Sequence, residues 1–240
     1  MPKRRSSQRR AKGLGLLALA GYHFVLRPWQ QTWGATPAEA NRRLPGDHLT
    51  PHYRFQTTRA ITIQAPAAQV WPWLVQIGYR RAGFYSYDAL ENMVGLNINS
   101  AENIDSELQN LNVGDSIPIA PEAPMEVAVL EPEKALVLHL RMNPLKGALA
   151  PANAQPPWLD WTWAFILDEI DPESTRLVIR VRGDYEPAWS LPLYYALVEP
   201  AHFIMERKML LGIKQRAEAQ RSLTSTPSST PEKPAAWPSQ

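Results

Sequence analysis

The amino-acid sequence predicts an α+β fold, with helices packed on one face of an antiparallel sheet. Two observations carry this. The element order runs strand, helix, a run of strands, long helix. The strands are joined by hairpin-like connections, with turn chemistry at Glu131-Pro132-Glu133-Lys134 and Asp171-Pro172-Glu173-Ser174. Consecutive short connections make neighbouring strands antiparallel, and such a sheet covers one face with helices.

The first strand is read at 59–64, where RAITIQ alternates and sets Ile61 and Ile63 on one face. A helix follows, opened by Ala65 and Pro66, carrying Val70, Trp73, Leu74 and Ile77 on one apolar face, and stopped at Gly78. Pro72 lies inside it, so a kink or a tightened turn is expected there. After a mixed stretch, strand patterns return at 115–119, 125–130, 135–141, 160–170 and 175–184. The last segment, 192–220, reads as a long helix with Pro200 at a break or in its first turn.

Length and composition set the frame. The 240 residues include 45% hydrophobic and 20% charged residues, which excludes wholesale disorder and a polytopic membrane protein. There is no cysteine, so disulfides, thiolate metal sites and a cysteine nucleophile are excluded. The organisation predicted is a basic arm with a short apolar anchor over 1–32, one domain over 33–221, and a disordered tail over 222–240. That tail is rich in Ser, Thr and Pro and too poor in aliphatic residues to offset its ordering entropy.

The net charge of +2 conceals an asymmetry. Lys3, Arg4, Arg5, Arg9, Arg10 and Lys12 crowd the first twelve residues without an acid; the rest holds 19 basic against 23 acidic residues. A nucleic-acid footprint would have to fit on that arm, so no nucleic-acid partner is expected. The arm runs into Leu14 to Leu26, an apolar run shorter than the roughly twenty residues of a straight membrane span, followed by Arg27, Pro28 and Trp29. Three readings stand: a secretory or twin-arginine signal, a packed N-terminal helix, and an uncleaved anchor. No small-residue cleavage site follows Leu26, and the residues around Arg9 and Arg10 fit a twin-arginine signal poorly. The preferred reading is the anchor, holding residues 1–33 on a membrane with arginines on anionic headgroups and Trp29 and Trp33 at headgroup depth. The protein is thus expected to be membrane-associated.

Chemical motifs are few. His23, His48, His52, His139 and His202 are scattered without metal-ligand spacing, and no phosphate loop or nucleophile elbow is present, so neither a metal nor a cofactor is expected. Arg182-Gly183-Asp184 closes a predicted strand and is read as turn geometry. His202, with Glu199 and Glu206 one helical turn away, is either a surface pair or an acid/base group.

Several segments carry a family resemblance. The stretch from Ile63 to Leu74 (IQAPAAQVWPWL), RAGFYSYD at 81–88, VGD at 113–115, WTWAF at 161–165, RGDY at 182–185 and the lead-in LPGD at 44–47 resemble a bacterial branch of the START and polyketide-cyclase superfamily, SRPBCC. The resemblance covers about 60–219. It implies a helix-grip fold, in which a curved sheet wraps a long C-terminal helix and leaves a cavity, and it implies an apolar or amphipathic small-molecule ligand, lipid-like or polyketide-like. It carries over no catalytic residue.

The residues themselves nominate the cavity wall. Trp161, Trp163 and Phe165 alternate, so on a strand they share one face as a core wall or a ligand floor. Phe84, Tyr85 and Tyr87, beside the acceptors Asp88 and Glu91, offer a polar rim. On the last helix Phe203, Ile204, Leu210 and Leu211 cluster, with Arg207 and Lys214 between them. If Arg207 faces the cavity it needs a carboxylate, for which Glu206, Asp88 and Glu91 are available; otherwise it belongs to a solvated basic stripe. Three functions follow: a binding protein for an apolar small molecule, a cyclase or dehydratase using the same cavity, and a membrane-tethered scaffold with a filled core. The first is preferred.

Overall fold

The computed structural model describes residues 20–93, 95–187, 195 and 198–225. The basic arm, the first part of the apolar run, the start predicted for the last helix at 192 and most of the tail lie outside them. A helical turn at Tyr22–Leu26 leads into α1 (Arg27–Gln31), and a second short helix, α2 (Pro37–Asn41), begins at a capping box in which Thr36 and Glu39 satisfy each other's backbone N–H groups. Then come β1 (Phe55–Ile63), α3 (Ala67–Val75), α4 (Asp88–Met93), β2 (Ser116–Ala120), β3 (Ala123–Glu131), β4 (Ala135–Asn143), β5 (Ala148–Leu149), β6 (Trp158–Asp171), β7 (Ser174–Glu186) and α5 (Glu199–Ser225).

The strands form one antiparallel sheet in the order β1-β7-β6-β4-β3-β2, with β5 added to β4. The first strand therefore pairs with the last, and α5 crosses the concave face. This is the α+β helix-grip arrangement.

The sequence gets its facing from period two. On the concave side Ile63, Phe165, Leu177, Ile179 and Leu138 are fully buried and meet Leu210, Ile213 and Ala217 of α5. On the convex side Ala60, Val137, Ala164 and Val178 form a second cluster, capped by Leu44 and Leu49 of the lead-in segment. The prediction of helices on one face is thus incomplete, because the lead-in seals the other. It is tied down by charge: Arg180 Nη1 donates to Asp47 Oδ2 at 2.8 Å, and Arg176 Nε donates to Glu39 Oε1 at 2.7 Å. That guanidinium hydrogen bond, against the opposing effect of burial, holds Glu39 at about 2.

Several boundaries differ from expectation: β1 begins at Phe55 rather than at 59, and α3 ends at Val75, before Gly78. Pro66 is the N-cap of α3 with an extended backbone, one position outside the helix, and Pro72 is accommodated inside it. Arg182-Gly183-Asp184 is not a turn: β7 continues to Glu186, and Gly183 is needed because a Cβ there would lie 2.1 Å from the Phe55 ring. Lastly, α5 continues past Arg221 into the segment read as tail, with the Ser222 hydroxyl donating to the Glu218 carbonyl at 3.1 Å.

Candidate functional site

A cavity of about 220 Å³ opens between the concave face and the first turns of α5. Strand β6 supplies Trp161 and Trp163, β2 supplies Ile119, and the segment before and within α4 supplies Phe84, Ser86 and Glu91. Helix α5 contributes His202, Met205, Glu206 and Met209, a spacing that places all four on one helical face. The aromatic wall is continuous. The Trp163 ring lies 4.8 Å from Phe165 and 6.4 Å from Phe84, and Trp161 meets the His202 ring edge-on at 5.7 Å.

Behind this wall sits a buried ion pair. Arg59 of β1 and Glu206 of α5 are hydrogen-bonded through Nη1 and Oε2, with side chains 0% and 1% exposed. Arg59 Nε donates to the Gln30 carbonyl at 2.8 Å, and its guanidinium lies 5.2 Å over the Phe203 ring. Glu206 Oε1 accepts from Trp163 Nε1 at 3.1 Å, so the carboxylate is satisfied from both sides.

The pair also fixes the state of His202. Its Nδ1 lies 3.4 Å from Arg59 Nη1. A guanidinium can only donate, so Nδ1 must be the acceptor and the neutral ring carries its proton on Nε2. Burial, only partly opposed by Glu206 and reinforced by Arg59, moves His202 below its ordinary value and favours that neutral ring. Nε2 is 3.8 Å from Glu206 Oε1, beyond hydrogen-bond reach, which leaves its N–H for the cavity.

Glu91 is the other polar group with nothing assigned to it. It is 6% exposed and its Oε2 has no hydrogen-bond partner. Burial, then the nearby Asp88 charge, push it up to about 7. A carboxyl in this setting is protonated below about 7 and then acts as a donor.

The cavity brings together Phe84, Glu91, Trp161 and Trp163 of the residues nominated from sequence. The other six lie elsewhere. Tyr85 is 1% exposed in the core; its hydroxyl donates to the Trp73 carbonyl at 3.1 Å and accepts from Gln76 Nε2 at 2.9 Å, and burial raises it to about 12. Its backbone has φ +55°, a left-handed conformation rare outside glycine, and it sits between the cavity residues Phe84 and Ser86. Tyr87 is exposed beside Lys208, whose Nζ is 5.8 Å from the ring centroid. Asp88 is spent on Ser100, accepting from its N–H at 2.7 Å and its hydroxyl at 2.6 Å. Phe165 is fully buried behind Trp163, and Phe203 packs between Arg59 and Trp29. Arg207 does not enter the cavity: it is exposed on the outer side of α5, 5.0 Å over the Trp33 ring. The charge that does turn inward is Glu206, one residue earlier, and Ile204, read as part of the apolar cluster, is 49% exposed.

Sequence reasoning missed Arg59, Ser86, Ile119, Met205, Glu206 as an inward group, and Met209. One signal was available: Arg59 shares strand parity with Ile61 and Ile63, so a strand carrying those two inward carries the arginine inward as well.

A larger depression of about 820 Å³ lies beside the cavity, lined by Tyr85, Asp88, Ser100, Lys208 and Arg216. Its charges are already engaged, since Arg216 Nη2 pairs with Glu102 at 2.7 Å and its Nε with the Ala101 carbonyl at 2.8 Å. The smaller cavity, with unassigned polar atoms on aromatic walls, is the better ligand site. Among the described residues no cluster of three or more His, Asp or Glu could hold a metal ion.

No protein-family model and no curated protein matches the chain. Solved structures similar to it include a Mesorhizobium loti protein, 15% identical over 69% of this chain and 98% of that one, with a TM-score of 0.38. A hypothetical protein of Helicobacter pylori is 13% identical over 76% of this chain and 99% of that one, at 0.43. The di-domain ARO/CYC BexL of the BE-7585A biosynthetic pathway is 14% identical over 68% of this chain and 46% of that one, at 0.36. None of these likenesses carries an activity to this chain.

Proposed function

We propose that this protein binds an apolar or amphipathic small molecule between its sheet and α5, and that it does so at a membrane surface. The observation that carries the first half is a cavity walled by Trp161, Trp163, Phe84, Ile119, Met205 and Met209, with Glu91, a buried carboxyl whose Oε2 has no protein partner, in its lining. A filled core would leave no such volume, and a buried polar atom left without a partner costs stability unless a ligand or water meets it. Native mass spectrometry of protein purified with and without detergent tests this. A co-purifying small molecule, lost on filling the cavity with Met209→Trp, is the expected result; no bound molecule and no uptake of a fluorescent apolar probe would overturn it.

The membrane half rests on the N-terminal segment. Phe24, Val25, Leu26 and Trp29 are 75%, 71%, 42% and 51% exposed, at and just beyond the end of the apolar run that follows the basic arm. Among the described residues no helix is long and apolar enough to cross a membrane. The reading is an interfacial attachment through these exposed apolar side chains, with each surface Lys or Arg contributing about 1 kcal/mol on anionic lipid. Deleting the segment would also remove the Gln30 carbonyl from Arg59, so the test keeps the full chain. Phe24→Ser/Val25→Ser/Leu26→Ser should lose flotation with anionic liposomes, and undiminished flotation would refute the attachment.

The same cavity supports an enzyme as a second reading, because Glu91 and His202 line one ligand volume, Glu91 exchanging its proton around 7 and the neutral His202 ring carrying one on Nε2. Conversion of the co-purifying molecule that vanishes in Glu91→Gln, with affinity retained, would favour it.

A further inference from the structure

We infer that the cavity selects an uncharged ligand presenting a hydrogen-bond-accepting oxygen, a carbonyl or ether on a flat apolar body, and refuses carboxylates, with Glu91 and His202 making the choice. The inference rests on the reading that this cavity holds a small molecule, and names the class of that molecule.

The argument is an inventory of donors, acceptors and charges around the cavity. From α5, His202 offers Nε2–H, because Arg59 claims Nδ1 as an acceptor. From α4, the lining carboxyl of Glu91, whose buried Oε2 has no protein partner, offers an O–H whenever it is protonated. From β6, Trp163 Nε1 is spent on Glu206, while the ring faces of Trp161 and, from β2, Ile119 present apolar surface. The Ser86 hydroxyl is spent on the Met205 carbonyl at 2.9 Å. The site thus presents the donors of His202 and Glu91 on aromatic walls, and it asks for an acceptor on a flat apolar group.

The charges exclude an anion. Glu206 is neutralised by Arg59, which is walled off with its side chain 0% exposed and is out of a ligand's reach. Asp88, on the same helix as Glu91, adds its charge to those near the cavity. Lys208 lies over Tyr87 and lines the neighbouring depression. A carboxylate entering here would shed its hydration without meeting a cation, and two hydrogen bonds do not offset that. Once Glu91 ionises, a carboxylate ligand would face a second negative charge and lose one donor.

The test uses the full-length protein and three probes of matched shape: acetylnaphthalene, ethylnaphthalene and naphthoate, titrated by fluorescence near pH 6 and near pH 8, on either side of about 7. In the wild type the ketone should bind about tenfold more tightly than naphthoate at the lower pH, and several-fold more tightly than the hydrocarbon. Raising the pH should shrink the ketone's advantage over the hydrocarbon and weaken naphthoate further. Glu91→Gln, which keeps a donor and never ionises, should hold the ketone preference at both pH values; Glu91→Leu should lose most of it. Naphthoate binding as tightly as the ketone, or a pH profile unchanged in Glu91→Gln, would overturn the inference while leaving the binding site intact. Failure of all three probes to bind would instead overturn the reading of the cavity as a ligand site, and the inference with it.

Discussion

Replacing Glu206 by leucine should be among the most damaging changes the concave face can suffer. Among the described residues the carboxylate is the one anionic partner of Arg59, whose guanidinium is otherwise met by the Gln30 carbonyl at 2.8 Å and by His202 Nδ1 at 3.4 Å, with Nη2 lacking a partner. Removing one member of a buried pair leaves an uncompensated charge and costs about 3 to 5 kcal/mol. Trp163 Nε1 would lose its acceptor as well, adding about 1 kcal/mol. The double variant Arg59→Met/Glu206→Leu removes both charges and keeps the volume apolar, a replacement that is often neutral. It should therefore lie within about 2 kcal/mol of wild type, far from the sum of the single changes. Urea denaturation at neutral pH, read from midpoints at constant m, measures all four corners of the cycle. A cost below about 1 kcal/mol for Glu206→Leu, or additive single changes, would refute the buried pair as the element that locks α5 to β1.

Two further outcomes follow from the same cavity. Glu91 is an acid raised from 4.5 to about 7, so its favourable contribution is full below about 4.5 and is lost as pH rises through about 7. At about 1.4 kcal/mol per pH unit, Glu91→Gln should stabilise the protein by about 1 to 3 kcal/mol near pH 8 and have little effect near pH 4; an equal effect at both, by chemical denaturation, would refute it. Phe165→Ala, at a fully buried ring, should cost about 3 to 5 kcal/mol, whereas Trp161→Ala and Trp163→Ala, at half-buried cavity walls, should cost less and abolish uptake of an apolar probe. Denaturation beside probe titration checks the contrast, and equal costs with unchanged probe uptake would sink it.

How far the sequence could be read depended on how local each signal was. Period two along β6 put Trp161, Trp163 and Phe165 on one face, and the structure keeps them there, because strand facing needs no knowledge of the partner. Turn chemistry placed the central strands to within a few residues for the same reason. Strand β5 was not legible, since two residues, Ala148 and Leu149, carry no period. The sequence groups Tyr85 with the rim beside Phe84, yet its ring is buried in the core and its backbone has φ +55°, and nothing in RAGFYSYD marks a non-glycine residue for the left-handed region.

The face of α5 failed for a different reason. Ranking by hydropathy joined Phe203 to Ile204 and set Glu206 aside, whereas the buried stripe is Phe203, Glu206, Met209, Leu210, Ile213 and Ala217. That spacing is an ordinary helical face with one carboxylate in it, and a carboxylate is admitted only where a cation waits. The cation, Arg59, stands 147 residues away in sequence, on a strand whose two isoleucines already fixed its inward parity. Each charge alone is evidence for a solvated position. Only as a pair do they become compatible with the interior, and by turning inward together they fix the His202 tautomer and leave its Nε2–H, with Glu91, as the polar furniture of an otherwise apolar cavity.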